Sequence, residues 1–516
     1  MVELAILLGV FSNLIFGLGL VGALDKLSGV GILFGASVIL LLIKKNIWLK
    51  TKKLFKEAIK SPLCLLLLGL LVIQAAVNLV GALGPELGFD ALWYHLTIPK
   101  IYLQHGNIFF IPGNLFYYSA MPKLVEMFYL LALSFSKYGI LAKTIHWSFG
   151  VLSALALLRL SKRYLKLPWA LLATTLFYTT LIVGWESITA YIDLGRTFFE
   201  ILALDLFLVW TKDKKTLNLV ESAIMLGLAI STKLIAFASL PVFLILIYLK
   251  EKKLLPVVQY SLFCILVPLP WFIFSWVSTG NPVYPIFSGI LDASHNFPNP
   301  LLFIKDLFEL LYRPLDPISP VFLVFLPFIF VKTQIKPLKR YVLLSLFFWL
   351  LTPRTGGSRF ILPYLPAWSL LLTTQLLEQK TFLKRAFLIL VIVSATINIG
   401  YRALANRKFV AVVLGRQTKE EFLTEHLNYD FGDFWDIRGE IKKRVGSDPV
   451  LFYGGHNLFY ADFPFIHYTY AQPQTLFSYI LTQDASLPES LSKAKLIYYN
   501  AKSRTSLYLF NDQYRQ

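Results

Sequence analysis

Residues 61–95 read SPLCLLLLGLLVIQAAVNLVGALGPELGFDALWYH, an apolar run followed directly by a loop with acidic and aromatic side chains. The run from 61 to 84 holds no charged residue and can cross a bilayer as one helix, since roughly 20 apolar residues span about 30 Å of hydrocarbon. The loop from Pro85 to Pro122 then places Glu86 and Asp90 just past the end of that helix. Ionisable side chains are costly at this depth, so the stretch predicts a membrane helix with a functional loop at its end.

The composition of the whole chain predicts a polytopic membrane protein. Of its 516 residues, 56% are hydrophobic and 15% charged, and the mean hydropathy is +0.63. Apolar runs recur through roughly the first four hundred positions, separated by short charged stretches, as expected when each span must satisfy its own backbone polar groups as a helix. We expect about thirteen transmembrane helices in an all-α bundle.

The net charge of +19 follows the membrane topology. Lys and Arg gather in short loops between apolar runs, for example in residues 44–60 with their seven lysines, which is the positive-inside pattern. Residues 402–516 hold 14 Lys and Arg against 12 Asp and Glu, so the excess lies in the membrane part. This pattern argues against a nucleic-acid partner. It predicts a cytoplasmic N-terminus. Separately, a bacterial inner membrane is the expected location, and an archaeal membrane stays open.

Three regions are expected along the chain. Residues 1–60 form an N-terminal hairpin with a basic cytoplasmic loop. Residues 61–401 form a transmembrane core with an external loop at 85–138, and residues 402–516 form a small extracytoplasmic α/β domain. In the last region the patterns predict an amphipathic helix over Asp433–Val445 and buried strands over Pro449–Tyr453 and Ala494–Tyr499. Gly454 and Gly455 follow the first strand and predict a turn.

Asp90 is the first candidate for chemistry. If residues 86–95 are helical, Glu86, Asp90 and Tyr94 share one face. Like charges at that spacing raise each other's pKa, which suits a general base. Trp93 and His95 lie beside this face and could line a substrate site. The alternative is an interfacial loop whose carboxylates are simply solvated.

A second acidic group follows at the next external turn, where Glu186 precedes Tyr191 and Asp193. Asp193 lies near the start of an apolar span, where an ionisable side chain needs a partner or a cavity. A helix N-terminus also favours a negative charge, so a capping or first-turn role stays open. Asp205, deeper in the same span, is explained by an interhelical polar contact.

Cations on the same predicted side form the third group. Arg354 and Arg359 are the first and last residues of the stretch RTGGSR, and Lys233 ends another apolar span. Arginine binds phosphate in a bidentate manner, and the phosphate of an isoprenoid lipid would lie at this depth. The alternative is that these cations snorkel to the membrane surface.

The histidines and the two cysteines show no metal-binding spacing. Cys64 and Cys264 fall within apolar runs and are expected to be small buried hydrophobic residues. Hard carboxylates suit Mg²⁺ or Mn²⁺, so a divalent cation held by Glu86 and Asp90, with Asp193, stays open, as does a site without metal.

Taken together, these stretches resemble the GT-C superfamily of membrane glycosyltransferases, in particular the branch that is similar to protein O-mannosyltransferases and aminoarabinose transferases (glycosyltransferase family 39-like). The resemblance covers roughly residues 61–400. Asp90 with Tyr94, then Tyr191-Ile192-Asp193, look like the acids of the first two external loops of that branch. The helix end at Thr232-Lys233 and the stretch after Arg359 also look like family patterns. The acidic neighbour usual in the family is replaced by Ala91, and Glu86 is the substitute expected.

The resemblance implies a polyprenyl-phosphate-linked sugar as donor and an inverting transfer on the extracytoplasmic face. Asp90 would deprotonate the acceptor hydroxyl, Arg359 with Lys233 and Arg354 would bind the donor phosphate, and Asp193 would position the acceptor or the base. The acceptor could be a membrane lipid, a glycan or a protein.

Two other classes stay open at this point. A transporter or flippase of a lipid-linked sugar would typically show repeats and ionisable residues at mid-membrane depth, and we find no repeat. A structural protein that binds a partner through its C-terminal region would not need Asp90, Asp193 and Arg359 on one side. If these three residues converge on one external cavity, the enzyme hypothesis gains; if they scatter, it loses most of its support.

Overall fold

The computed structural model describes residues 1–289, 305, 317–352 and 357–510, and most of them are helical. The helices of the first half are α1 Val2–Leu20, α2 Leu27–Lys44, α3 Ile47–Ala58, α4 Pro62–Ala82, α5 Thr97–His105, α6 Leu124–Leu133, α7 Ile140–Ser161, α8 Leu167–Tyr178, α9 Leu181–Glu186, α10 Asp193–Asp213 and α11 Thr216–Thr232. Those that follow are α12 Leu240–Glu251, α13 Leu255–Leu266, α14 Leu269–Thr279, α15 Pro320–Val324, α16 Lys336–Leu351, α17 Leu365–Leu377, α18 Thr381–Asn406, α19 Lys408–Val413, α20 Lys419–His426 and α21 Glu440–Val445.

The chain is a multi-pass membrane protein. Within the described ranges, six helices are long and apolar enough to cross a membrane, and the bent pair α13 and α14 makes seven if it counts as one span. Val72 on α4 and Ile397 on α18 are 60% and 64% exposed, as side chains that face lipid would be. The predicted count of about thirteen crossings is not confirmed. One reason is that the apolar run 168–185 forms two helices, α8 and α9, and not one.

Helix α10 lies at the centre of the bundle, packed against α7 and α11 and buried over most of its length. Its first turn is anchored by His146 of α7, whose Nε2 accepts the amide hydrogen of Leu194 at 3.1 Å. Deeper in the helix, Asp205 pairs with Arg163 at 2.5 Å and with Arg159 at 3.3 Å. The expected interhelical contact of Asp205 is therefore present, and a charged helix can be buried because its charges have partners.

A five-stranded sheet lies in the C-terminal region. Its strands are β1 Val450–Gly454, β2 Phe465–His467, β3 Tyr479–Gln483, β4 Lys495–Asn500 and β5 Thr505–Leu509. They lie in the order β2-β1-β3-β5-β4, with β1 parallel to β2 and β3, and β5 antiparallel to β3 and β4. The two predicted strands are present as β1 and β4. The second is not buried as predicted, because β4 forms an edge of the sheet. The extracytoplasmic location of this region stays a prediction, as do the three domain boundaries.

The predicted helix over Asp433–Val445 is too long. Only α21 is α-helical there, because Arg438 and Gly439 have left-handed backbone angles, with φ of 62° and 66°. Asp436 stabilises the late start by accepting the amide hydrogens of Ile441 and Lys442 at 2.9 and 2.8 Å.

The predicted turn after β1 is present. Gly454 has a φ of 71°, and a Cβ atom there would lie 2.0 Å from the carbonyl oxygen of Gln483, so only glycine fits. Cys64 and Cys264 are buried and unbonded, as expected.

Candidate functional site

Asp90 and Arg359, far apart in sequence, form a direct ion pair. Asp90 lies where the loop after α4 becomes helical, and Arg359 lies in the 3-10 turn Gly357–Phe360 before α17. The Nη1 of Arg359 donates to Oδ2 of Asp90 at 2.6 Å. The two side chains are 17% and 15% exposed, so the pair is neither fully buried nor fully solvated. Both groups are therefore partly open to solvent.

Asp193 and Lys233 form a second pair. The Nζ of Lys233 donates to both carboxylate oxygens of Asp193, at 2.7 and 2.8 Å. Asp193 is fully buried, whereas Lys233 at the end of α11 is 17% exposed. Asp193 is the first residue of α10, so the first-turn position left open by the sequence is confirmed, whereas the N-cap residue is Ile192.

The two pairs belong to one cluster. The hydroxyl of Tyr191 accepts the amide hydrogen of Asp90 at 3.1 Å, and Arg359 lies over the Tyr191 ring at 5.1 Å from its centroid. Lys233 lies 5.2 Å from the ring centroid of Phe360, the residue after Arg359. The charge of Arg359 also acts on Asp193. Asp90, Asp193 and Arg359, which the sequence groups only by predicted side, thus converge in the fold.

Glu86 does not belong to this cluster. Residues 85–88 are not helical, and Ala91–His95 form a π-helical turn, so the predicted shared face of Glu86, Asp90 and Tyr94 is wrong. The Oε1 of Glu86 accepts the amide hydrogens of Leu87 and Gly88 at 2.8 and 2.6 Å.

The second oxygen of Glu86, Oε2, accepts the amide hydrogen of Ala190 at 2.6 Å. Burial, and not Asp90, raises the pKa of Glu86. Its carboxylate fastens the first loop to the segment before α10.

His95 and Glu126 form a separate buried contact. The Nδ1 of His95 lies 2.9 Å from Oε1 of Glu126, and both side chains are at most 3% exposed. His95 faces this partner, and none of its hydrogen bonds or ring contacts among the described residues involves Asp90, so its predicted role in lining a substrate site gains no support from the geometry.

The aromatic residues next to Asp90 pack on each other. The Tyr94 ring stacks on Tyr118 with centroids 3.7 Å apart, and Trp93 meets both rings edge-on. Trp93 also meets His456 of the C-terminal region, at 5.8 Å. These rings form a wall on one side of Asp90 and connect the loop to the sheet region. Part of the aromatic surface that the sequence offers to a substrate is thereby covered.

Glu186 is fully buried at the end of α9. Its Oε2 lies 3.9 Å from Nε2 of His146, and neither carboxylate oxygen has a hydrogen-bond partner among the described residues. The Nδ1 of His146 donates to the backbone carbonyls of Glu186 and Thr189, both at 2.8 Å. His146 is therefore a structural residue that orders the segment before α10, a role for which the sequence offered no signal.

The acidic residues do not fit a divalent cation. Glu86 spends both oxygens on backbone amides, while Asp90 and Asp193 are each neutralised by a cation. In the described part of the chain, no group of three or more His, Cys, Asp or Glu side chains is placed to hold a metal. We derive no step through a metal ion.

One predicted residue of the site lies outside the described residues, and three residues at or near the site were not predicted from the sequence. Arg354 lies outside the described residues. Trp185, whose ring centroid lies 5.9 Å from the Arg359 guanidinium, was not predicted to contact a cation. Arg196 and Glu200, an ion pair within α10, were also missed, although charges at i and i+4 inside an apolar span are a readable signal.

A cavity of about 980 Å³ lies close by. It is bounded by the loop and the C-terminal region, and its walls include Lys100, Tyr138 and Trp435 but none of Asp90, Asp193 and Arg359. Asp90, Asp193 and Arg359 were expected to converge on one external cavity. They lie together at the two ion pairs, but they do not line this cavity.

No family model matches the sequence, and no curated protein does. Solved structures are similar in fold. ArnT from Cupriavidus metallidurans bound to undecaprenyl phosphate aligns with a TM-score of 0.60 at 13% identity, over 87% of this chain and 98% of that chain. The same protein in the apo state aligns over the same shares with a TM-score of 0.61, also at 13% identity.

An oligosaccharyltransferase from Archaeoglobus fulgidus in complex with Zn and sulfate aligns at 14% identity with a TM-score of 0.45, over 80% of this chain and 67% of that chain. That score is too low to support an argument, so the comparison rests on the two ArnT structures. Identities this low concern the fold alone. The chain therefore has an ArnT-like fold, as the resemblance to aminoarabinose transferases predicted.

Proposed function

We propose that this protein is a membrane glycosyltransferase that moves a sugar from a polyprenyl-phosphate-linked donor to an acceptor on the extracytoplasmic face. The observation that carries the proposal is the meeting of Asp90 with Arg359 and of Asp193 with Lys233 at neighbouring helix ends. A group that takes up a proton and groups that bind a phosphate are the two requirements of such a transfer. The ArnT fold adds support, because an ArnT structure holds undecaprenyl phosphate.

In the proposed reaction the acceptor hydroxyl oxygen attacks the anomeric carbon of the donor sugar. The new carbon–oxygen bond forms as the bond to the lipid phosphate breaks, and the electron pair of that bond stays on the phosphate oxygen. Asp90 takes the proton of the attacking hydroxyl. Arg359 and Lys233 stabilise the negative charge on the departing phosphate. Because the hydroxyl attacks the face opposite to the phosphate, the anomeric centre is inverted.

The ion pair between Asp90 and Arg359 sets an order for these events. In the pair, Nη1 of Arg359 donates to Oδ2 of Asp90 at 2.6 Å and so occupies one of the two carboxylate oxygens. A donor phosphate offers Arg359 a bidentate partner, and the exchange would leave the carboxylate available to the acceptor hydroxyl. In this scheme, donor binding activates the base.

Asp193 has a supporting role. It is fully buried and bonded through both oxygens to Lys233, so it cannot also take a proton from an acceptor without losing that pair. We assign it to the placement of Lys233 beside the donor phosphate. A proton transfer to Asp193 itself is not part of the scheme.

The test compares membranes from cells that carry the wild-type protein, Asp90→Asn or Asp205→Asn. Asp205 is a matched control, because it is also an acid of an ion pair but lies deeper in α10, away from the site. Its partners Arg163 and Arg159 are 36% and 37% exposed and can be hydrated when the carboxylate is lost. Mass spectrometry of lipid, glycan and protein fractions should find one added sugar with wild type and Asp205→Asn but not with Asp90→Asn.

Near-normal transfer by Asp90→Asn, at equal protein level, would overturn the assignment of the base. A lipid-linked sugar that changes leaflet but keeps its sugar in the wild-type membranes would instead favour a transporter of such a lipid. No contact in the described residues favours that second function specifically.

A further inference from the structure

Four side chains form a buried polar group below the proposed site, and we call it the clamp: Arg196, Glu200, Ser239 and Tyr364. The Nε of Arg196 donates to Oε1 of Glu200 at 2.7 Å, and its Nη2 donates to the Tyr364 hydroxyl at 3.1 Å. The Ser239 hydroxyl donates to Oε2 of Glu200 at 2.8 Å and lies 2.9 Å from the hydroxyl of Tyr364. All four side chains are at most 2% exposed. The clamp therefore closes on itself without solvent.

The clamp joins the three segments that carry the proposed site. Arg196 lies three residues after Asp193 on α10, and Ser239 ends the 3-10 segment Leu234–Ser239 that follows Lys233. Tyr364 ends the 3-10 segment Leu362–Tyr364, five residues after Arg359. Each of the residues Asp193, Lys233 and Arg359 is thus followed, on its own segment, by a member of the clamp.

Stability alone does not account for this arrangement. Replacing a buried ion pair by apolar residues of similar volume is often neutral or stabilising, because two charges must be stripped of water. The Nη1 of Arg196 also lacks a hydrogen-bond partner among the described residues, which is a further cost. What the clamp does provide is geometry, since its hydrogen bonds are directional and link three segments at fixed distances.

We propose that the clamp sets the spacing between the Asp193–Lys233 pair and the Asp90–Arg359 pair, so that both cations can meet one donor phosphate. Its members are positioning residues, and the inference rests on the function proposed above. Tyr364 fixes the segment of Arg359 against α10. Ser239 fixes the segment of Lys233 against the same helix. Loss of either bond lets one cation drift while the other stays.

The first test removes one hydroxyl with Tyr364→Phe. Its control is Tyr260→Phe, because the Tyr260 hydroxyl is equally buried and lies 3.2 Å from that of Ser222, between α13 and α11. We expect Tyr364→Phe to raise the KM for the lipid-linked donor about tenfold, as expected for one misplaced charged hydrogen bond, with kcat changed less. Tyr260→Phe should lower the unfolding temperature by about as much as Tyr364→Phe does, because each variant loses one buried hydroxyl. It should leave the KM within about twofold of the wild-type value. Equal KM values for the two variants would overturn the proposal.

The second test replaces the ion pair by Arg196→Met together with Glu200→Leu, since either change alone would strand a buried charge and could prevent folding. The double variant should unfold at or above the wild-type temperature and still bind the donor at least about tenfold more weakly. Donor affinity at the wild-type level in that folded variant would contradict a positioning role.

A third readout does not depend on enzymatic activity. In a chain with Asp90→Cys and Arg359→Cys, the rate of disulfide formation under a mild oxidant reports how well the two segments stay in contact. Adding Tyr364→Phe should slow this rate several-fold, and adding Tyr260→Phe should not. An unchanged rate with Tyr364→Phe overturns the clamp. A slowed rate in the reporter, together with no sugar transfer by the wild-type protein, would retain the clamp and refute the proposed function.

Discussion

The start of the loop after α4 and the helical turn that follows it contain acids four residues apart in very different surroundings. At the start of the loop, Glu86 is fully buried and its carboxylate accepts three backbone amide hydrogens. In the turn, Asp90 is partly exposed, and the one cation that its carboxylate pairs with among the described residues is the guanidinium of Arg359. Glu86 holds two segments together, whereas Asp90 has a partner that a ligand can replace.

The difference teaches how to separate a structural acid from a candidate catalytic acid. Backbone amides are fixed by the fold, so a carboxylate that they satisfy cannot change partners without local unfolding. An arginine on a long side chain can turn to a phosphate while the backbone stays in place. Exchangeable partners and partial exposure, more than acidity or loop position, mark Asp90 as the candidate.

The largest effect that tests this contrast is expected for Arg359→Gln. Because Arg359 is the proposed bidentate partner of the donor phosphate, its loss should weaken binding of polyprenyl phosphate by about 10- to 100-fold. The measurement is a titration of the purified protein in detergent with polyprenyl phosphate, in which native mass spectrometry detects the bound lipid. Arg163→Gln, which removes the cation that pairs with Asp205 of α10 away from the site, is the control and should bind as wild type does. Equal affinities for the two variants would contradict the phosphate role.

Glu86→Gln should act on stability and not on chemistry. A glutamine can still accept at one oxygen, but its NH₂ group faces the amide hydrogen of Ala190 and loses that bond, so we expect a loss of about 1–3 kcal/mol in the free energy of unfolding. Thermal unfolding in detergent measures it, with exposed Glu489→Gln as the control. If Glu86→Gln folds as stably as wild type but transfers no sugar, the contrast between the two acids is wrong.

Asp90→Asn should have a smaller effect on binding, and in the opposite direction. Without the carboxylate charge, Arg359 is released toward the phosphate, so the variant should bind polyprenyl phosphate a few-fold more tightly than wild type, a change of about 1 kcal/mol. The same titration measures it. Weaker binding by Asp90→Asn would mean that Asp90 and the phosphate do not compete for Arg359.

A pH-dependent effect on stability concerns the contact between the loop and the sheet region. The Nζ of Lys100 donates to the carbonyl oxygens of Phe459 and Ala461 at 2.8 and 2.6 Å, and burial lowers its pKa to about 8 from 10.5. Between these two values the unfolded chain holds a proton that the folded protein has released, so the contribution of Lys100 to stability rises with pH.

Unfolding temperatures measured from below pH 8 up to about pH 10 should show this rise in wild type and less of it in Lys100→Met. Lys442→Met serves as the control, since Lys442 is 52% exposed in its pair with Asp462. A rise of equal size in wild type and Lys100→Met would show that Lys100 is not its source.

Much of the fold could be predicted because it depends on local pattern. The long apolar runs predict α1, α4 and α7, and the short apolar runs at 450–453 and 496–499 predict β1 and β4. The count of crossings was less predictable, because a run such as 168–185 holds no charged residue to mark the break between α8 and α9. The order of the five strands depends on pairing between distant residues, for which one sequence carries no signal.

The candidate site was predictable in part. Asp90, Asp193, Lys233 and Arg359 stand out because charges are rare beside apolar spans. Their pairing does not, since Asp90 and Arg359 are 269 positions apart. Glu86 was grouped with Asp90 on an assumed helix, and the π-helical turn with the non-helical residues before it broke that assumption.

The sequence by itself determined which stretches are apolar enough to lie in a membrane and which ionisable residues flank them, because hydrophobicity and charge are properties of each residue. Only the tertiary structure decided which acid meets which cation, and which acid is consumed by backbone amides. Those outcomes depend on distances between segments that are remote in the chain. The loop after α4 shows both: its acids were visible in the sequence, but only the packing of α10 and of the turn before α17 distinguishes Asp90 from Glu86.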